Sequence, residues 1–270
     1  MNSLTSYLAL RWRVSWQYAI VGVHFVQLYP TRSIVFAVGL VIQLIVPLSL
    51  WHTMTALHQV STYRELVTYT LTALLVTELT FSPLVDMTGG RVDQGTITAF
   101  FLRPISALEI FLIQDIVQIG VSFVLPIVMV VGGAVVIFHR DIIPVTQSVA
   151  IQGILALILA LLLRRAVNVI LAAWFMRTGR GWGVNYIIGL IIVALSGGLF
   201  PTILLPRWIL SLITLLPFSV FANTPALIVT HLIADPWHLL AIDSGWCLLF
   251  FGVAYAAWKG VTRSLESYGG

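Results

Sequence analysis

SGGLFPTILLPRWILSLITLLPFSVFANTP, residues 196–225, decides how this chain is threaded. It is apolar enough for hydrocarbon, yet Pro201, Pro206, Pro217 and Pro225 cut it into short pieces. A helix over residues 207–216 would be only about 15 Å long, half of a roughly 30 Å hydrocarbon core. Residues 201–230 therefore read as a re-entrant helical pair that dips in and returns on one side. The competing reading is a proline-kinked seventh crossing, which would put the two termini on opposite sides.

The surrounding chain is as apolar as this segment. Of 270 residues, 59% are hydrophobic and 9% charged. A water-facing domain carries roughly 25% charged residues, so lipid must cover much of this one. The mean hydropathy of +1.01 agrees. The isoelectric point near 9.5 comes from scattered arginines. Lys259 is the only lysine and no basic run exists, which argues against a nucleic-acid partner. The single Cys247 excludes an internal disulfide and a metal site built on a cysteine pair. His24, His52, His58 and His139 are scattered, and no metal site is expected.

Residues 1–10 mix polar and apolar types, unlike a secretory leader. Residues 1–30 read as an N-terminal interfacial helix, with Trp12, Trp16 and Tyr18 at the headgroups and Arg11 and Arg13 toward anionic lipid. The alternative is the start of a tilted first span. Working outward from residues 196–225, six stretches are long enough to cross: 33–57, 63–88, 105–138, 145–176, 183–200 and 237–258. Thr62 and Glu65 form a capping box at the start of the second, and Gly89-Gly90 supply its stop. Pro126 and Gly132-Gly133 should bend the third. Pro144 starts the fourth, and Asp235 and Pro236 cap and open the sixth. The expected fold is an all-α integral membrane protein, a single transmembrane domain over residues 1–270.

Arginine asymmetry orients it. With the N-terminus inside, Arg11, Arg13, Arg32, Arg91, Arg103, Arg177, Arg180, Lys259 and Arg263 are cytoplasmic, and Arg64, Arg140 and Arg207 are outside. Trp51, Trp208 and Trp237 then mark the outer interface, and Trp174, Trp182 and Trp258 the inner one. Both termini are expected in the cytoplasm, with the proline-cut segment facing out.

One polar island interrupts the apolar chain: GRVDQGTITAFFLRPIS, residues 90–106. Ser106 and Glu109 make a second capping box, so a helix begins there. Upstream, Asp93, Gln94 and Thr96 can cap a short helix, and Gly95 permits close approach. A solvated turn and a docking element for a cytoplasmic partner both fit this composition.

The run DQGTITAFFLRPIS, residues 93–106, resembles the cytoplasmic loop of bacterial ABC exporter permeases of the type-2 class, and in particular their six-span branch. SGGLFPTILLPRWILSLITLLPF at 196–218 is similar to the Ser-Gly, Pro, Pro-x-Trp, Leu-Pro-Phe pattern of that branch, and AAWFM at 172–176 fits the end of its fourth span. The resemblance runs from about residue 1 to 265. It implies that residues 89–104 form a coupling loop seated on an ATPase through Arg91, Asp93, Gln94, Gly95, Phe100, Phe101 and Arg103. It also implies that the re-entrant segment, with Pro201, Pro206, Trp208, Pro217 and Phe218, caps the outer end of a pathway. The working unit would be two permease subunits, identical or related, with two P-loop ATPase subunits in the inner membrane of a bacterium. The cargo would be an amphiphilic or hydrophobic molecule: drug-like, lipid or peptide. No phosphate-cradling Gly-x-x-x-x-Gly-Lys-Ser/Thr exists here, because Lys259 lies between Trp258 and Gly260. ATP and magnesium would be bound by the partner, and no cofactor is expected in this chain. The glycine-rich residues 179–183 read as a second cytoplasmic loop.

Charges at membrane depth are costly and are usually paired or facing water. Glu78 and Asp115 fall about 15 Å from the cytoplasmic ends of their spans, and Arg164 and Arg165 about 18 Å. An acid–arginine cluster is therefore possible, with Asn168 one turn on. It would serve as a gating latch or counter-charge, or as a structural ion pair or water-filled vestibule. Two rival classes remain. Ala194-Leu195-Ser196-Gly197 is one residue from the Gly-x-Ser-Gly of rhomboid-like intramembrane proteases, with His231 and His238 downstream, but the first glycine is missing. A non-transporting membrane assembly or immunity protein is the other. No His-Glu-x-x-His exists for a zinc protease, and no inverted repeat marks a secondary transporter.

Overall fold

The first long helix shows what solvent this protein is built for. Helix α1, Pro30–Ala56, buries a single stripe, Leu40, Leu44, Leu48 and Trp51, against its neighbours. The rest of its circumference is exposed aliphatic surface, with Val35 71% and Val46 62% exposed. A helix this apolar all round suits lipid and not water. The computed structural model describes residues 9–14, 16, 17, 20, 21, 24, 30–56, 63–103, 105–179, 182–198 and 200–268. Among these there is no strand. Thr62, which completes the first predicted capping box, and Tyr18 lie outside them.

The second apolar stretch is not one helix ending at the glycine pair. It divides into α2, Tyr63–Thr80, and α3, Leu84–Asp93, and α3 runs straight through Gly89 and Gly90. Pro83 makes the division: it has no N–H for the carbonyl four residues earlier, and its ring crowds that turn. The stop lies at Gly95, in the left-handed region at φ 69°. Its N–H bonds the Val92 carbonyl at 3.0 Å and the N–H of Thr96 bonds the Arg91 carbonyl at 2.9 Å, a Schellman ending. A four-residue helix, α4, Thr98–Phe101, follows.

The third stretch forms α5, Ala107–Ser122, and α6, Val124–Ile137, bent by 43° at Phe123. Pro126 is the cause, since it cannot donate to Ser122. The freed Ser122 carbonyl accepts the Ser33 hydroxyl at 3.4 Å. Gly132 and Gly133 do not bend the helix, contrary to expectation. At the start of α5 the Ser106 side chain accepts the Glu109 N–H, the expected cap.

Helix α7, Gln147–Thr178, is capped by the Thr146 side chain rather than started at Pro144, and ends at left-handed Gly179. Helix α8 is Trp182–Leu195. Helix α11, Pro236–Tyr268, opens with Asp235 Oδ1 accepting the N–H groups of Trp237 and His238, as expected of a cap. Ala156, Ala160, Ala166 and Ala172 are buried on α7. Such small side chains let α11 lie close along it, with Leu240, Cys247, Ala254 and Trp258 facing in.

Between α8 and α11 the chain makes short pieces: single-turn helices at Thr202–Leu204 and Pro217–Phe221, α9 at Arg207–Leu215 and α10 at Asn223–Val229. None is long enough to cross hydrocarbon. α9 leaves Trp208, Leu212 and Leu215 exposed, whereas α10 is buried against α2 and α7. By length and composition four helical stretches can cross a membrane, 33–56, 63–93, 147–178 and 236–263, or five if bent α5–α6 counts as one. α8 is apolar but, at about 21 Å, short for a crossing.

Candidate functional site

The proline break between α2 and α3 borders a polar centre. Interrupting the ladder between α2 and α3 leaves the Thr80 carbonyl outside the helical pattern and places the Ser82 hydroxyl toward α5. Ser82 Oγ donates to Asp115 Oδ1 at 2.7 Å. Arg165 Nε lies 2.9 Å from Asp115 Oδ2, and its Nη1 donates to the Thr80 carbonyl at 3.4 Å. Asp115 is completely buried. Only part of the expected cluster is thus brought together. Glu78 is buried but faces Gln43 on α1. Arg164, adjacent to Arg165, turns the other way and places its guanidinium 5.8 Å from the Phe221 ring centroid. Its Nε has no hydrogen-bond partner, nor does Asn168 Nδ2.

The polar island has a packed foot and an exposed tip. Arg91 donates to Gln114 Oε1 and stacks over Phe100 at 4.3 Å and Phe111 at 5.0 Å. Arg103 covers Phe100 at 4.4 Å. Phe101 stacks on Trp258 with centroids 6.3 Å apart. Both phenylalanines therefore pack on the bundle while staying partly exposed. Asp93, Gln94, Gly95 and Thr96 are exposed at the tip. Leu102, the first residue of the Leu-Arg-Pro step, is 87% exposed beside Arg103. Arg11, expected to face lipid, pairs with Glu109 instead.

The proline-cut segment is pinned by a hub that sequence reasoning missed. The Tyr69 hydroxyl donates to Asn223 Oδ1 at 3.0 Å and accepts the Thr202 N–H at 3.4 Å. Thr202 Oγ1 donates to the same Asn223 oxygen. Gly197, at φ 77°, lets the chain pass: a Cβ there would sit 2.4 Å from the Tyr69 oxygen. Pro201 and Pro217 are buried in this region and Phe218 half-buried, while Pro206 and Trp208 are exposed. Ser196 is buried, its hydroxyl directed at the Val193 carbonyl and accepting the Gly198 N–H. His231 and His238 are exposed.

A third buried acid was missed. Asp243, on α11, is 0% exposed, and neither carboxylate oxygen has a hydrogen-bond partner. Thr224 on α10 faces it without closing a bond. A lone acid in an apolar span is legible from hydropathy, and Asp243 was there to be found.

Apolar helices sheathed in exposed aliphatic side chains, with an ion pair set among them, define a multi-pass membrane protein. The chain matches the family model for ABC-2 family transporter protein over residues 42–269, from inside α1 to the end of α11, and belongs to that family. It is thereby a permease subunit of an ABC transporter, the membrane part of a complex whose ATPase is a partner. No curated protein and no solved structure matches it.

Proposed function

We propose that this permease is an exporter subunit, moving an amphiphilic or hydrophobic drug-like molecule, lipid or peptide out of the cytoplasm of a bacterium across its inner membrane. Two copies, or this chain and a related permease, would stand on two ATPase subunits that bind ATP and magnesium. The observation that carries the reading is the build of residues 89–104. Its foot is locked by Arg91, Phe100 and Phe101 onto α5 and α11, and its tip, from Asp93 to Thr96 with Leu102 and Arg103, is exposed. A tip on a rigid foot passes a push into the helices behind it, whereas a loose turn absorbs it. The foot leads directly to Gln114, one residue from Asp115, so movement of the loop reaches the buried ion pair. In this reading Asp115–Arg165 is a latch between α5 and α7. The segment around Pro201, Pro206, Trp208, Pro217 and Phe218 closes the outer end. Six crossings, with α8 as the fifth and both termini cytoplasmic, are the threading that agrees with the arginine distribution.

The test is transport and ATP hydrolysis by the complex reconstituted in vesicles. Asp93→Arg and Leu102→Asp should leave thermal stability unchanged, abolish transport, and disconnect hydrolysis from substrate. Normal transport by both variants would sink the coupling role. ATP-driven uptake in right-side-out vesicles, rather than in inverted ones, would overturn export.

A further inference from the structure

A groove of about 1170 Å³ runs between α1 and the bent α5–α6 pair. It is larger than the roughly 300–1,000 Å³ of most small-molecule sites. Its wall on α1 extends from Ser33 to Thr53, about 30 Å, the thickness of the hydrocarbon core. The polar side chains on its walls are Ser33, Ser49, His52, Thr53 and Tyr63. The first, second and fourth spend their hydroxyls on the carbonyls of Ser122, Ile45 and Ser49. His52 and Tyr63 stand edge to face at one end, centroids 5.9 Å apart. Along its length the groove offers an occupant hydrocarbon contact and little else.

The glycines of α6 add a second, independent observation. Gly132 and Gly133 neither bend the helix nor adopt a left-handed conformation, and a Cβ on either would meet nothing within 4 Å. Glycine weakens a helix interior relative to alanine. Nothing in this chain gains from them. What they do is keep the wall at Gly133 open, for something from outside. A wall that turns by 43° suits a flexible chain better than a straight helix of a second copy. Beyond the His52 end, Arg140 is exposed beside Asp141, and Arg64 donates to the Ile142 carbonyl next to Glu65. This rim carries both signs of charge.

We propose that the groove is a lipid site: the acyl chains of a zwitterionic phospholipid lie between α1 and α6, with its phosphate toward Arg140 and its ammonium toward Asp141. The site is separate from the transport pathway and does not depend on which cargo the permease moves. It gives α1, which packs on α2 and α6 through one stripe and leaves the rest of its surface bare, a further neighbour.

The experiment uses the full chain purified in detergent, with bound phospholipid read by native mass spectrometry after a delipidating wash. Wild type should retain phospholipid, as should Gly133→Ala. Gly133→Phe, which fills the groove, should lose it while melting at the wild-type temperature. If Gly133→Phe fails to fold, Val38→Trp fills the same space from the opposite wall and should show the same loss. Reloading from discs of equal phosphatidylethanolamine and phosphatidylglycerol should enrich the ethanolamine lipid. Equal retention by wild type and the filled variants would overturn the site, as would a wild type that keeps no lipid. Enrichment of the glycerol lipid would overturn the headgroup assignment. A disulfide between two copies carrying Val41→Cys would give the groove to a second subunit instead.

Discussion

Asp115 and Asp243 are both fully buried acids, and they should respond in opposite ways to the same substitution. Asp115 holds Arg165 and accepts from Ser82. Asp115→Asn leaves a buried guanidinium unmatched, a change that costs roughly 3–5 kcal/mol when one partner of a buried pair is removed. Replacing both, as Asp115→Asn with Arg165→Gln, should recover much of that in a thermal-melt comparison. An additive double mutant would reject the pairing. Asp243 has no cation to strand among the described residues, only the Thr224 hydroxyl facing it. Asp243→Asn should therefore melt at or above the wild-type temperature, since an amide is less costly than a carboxylate in that position. That Asp115 could meet an arginine of α7 was legible from residue counting. Which arginine faces α5 was not, because neighbours on a helix point about 100° apart and the rotation of α7 is set by packing along α11.

At the level of helices, Pro126 was read rightly, Pro83 was overlooked and glycine misled. Pro126 sets the bend at Phe123, whereas Pro83 divides α2 from α3 inside what was expected as one span. The capping residues Ser106 and Asp235 were also legible, because an N-cap is a local bond between near neighbours. Gly89-Gly90 and Gly132-Gly133 looked like stops and bends but are helical, because glycine permits helical angles and the residues around them carry the helix through. Gly95 and Gly197 have the left-handed backbone, which only the path of the chain decides. Pro126→Ala should straighten α5–α6, lengthening the spin-label distance between positions 108 and 137. It should also restore the helical partner of the Ser122 carbonyl. Ser33→Ala should then cost up to about 1 kcal/mol in wild type and nothing in Pro126→Ala. Gly197→Ala should destabilise more than Tyr69→Phe. The phenylalanine loses hydrogen bonds, while the alanine forces its Cβ into the Tyr69 oxygen and strains the backbone.

For the molecule as a whole, composition alone gave a helical membrane protein. The number of crossings was harder. Residues 183–200 looked like a full span, but the helix ends at Leu195, and the turn at Gly197 is fixed by Tyr69, 128 positions away. No sequence window contains that contact. Threading is decided by reporters at residues 139–141 and at the C-terminus. Alkaline phosphatase should be active at the first site, and a cytoplasmic reporter at the second. An externally active C-terminal fusion would replace the six-crossing arrangement with an odd number.

The pairing of Arg11 with Glu109 also says something about time. The two residues lie 98 positions apart. At about 5–20 residues per second, a ribosome needs roughly 5–20 s to make the acid after it has made the arginine. During that interval the first helices are already synthesised, and Arg11 has no Glu109 to hold it. Arg11 is thus made well before its partner and fastened late, as a clasp closed over α5 once that helix exists.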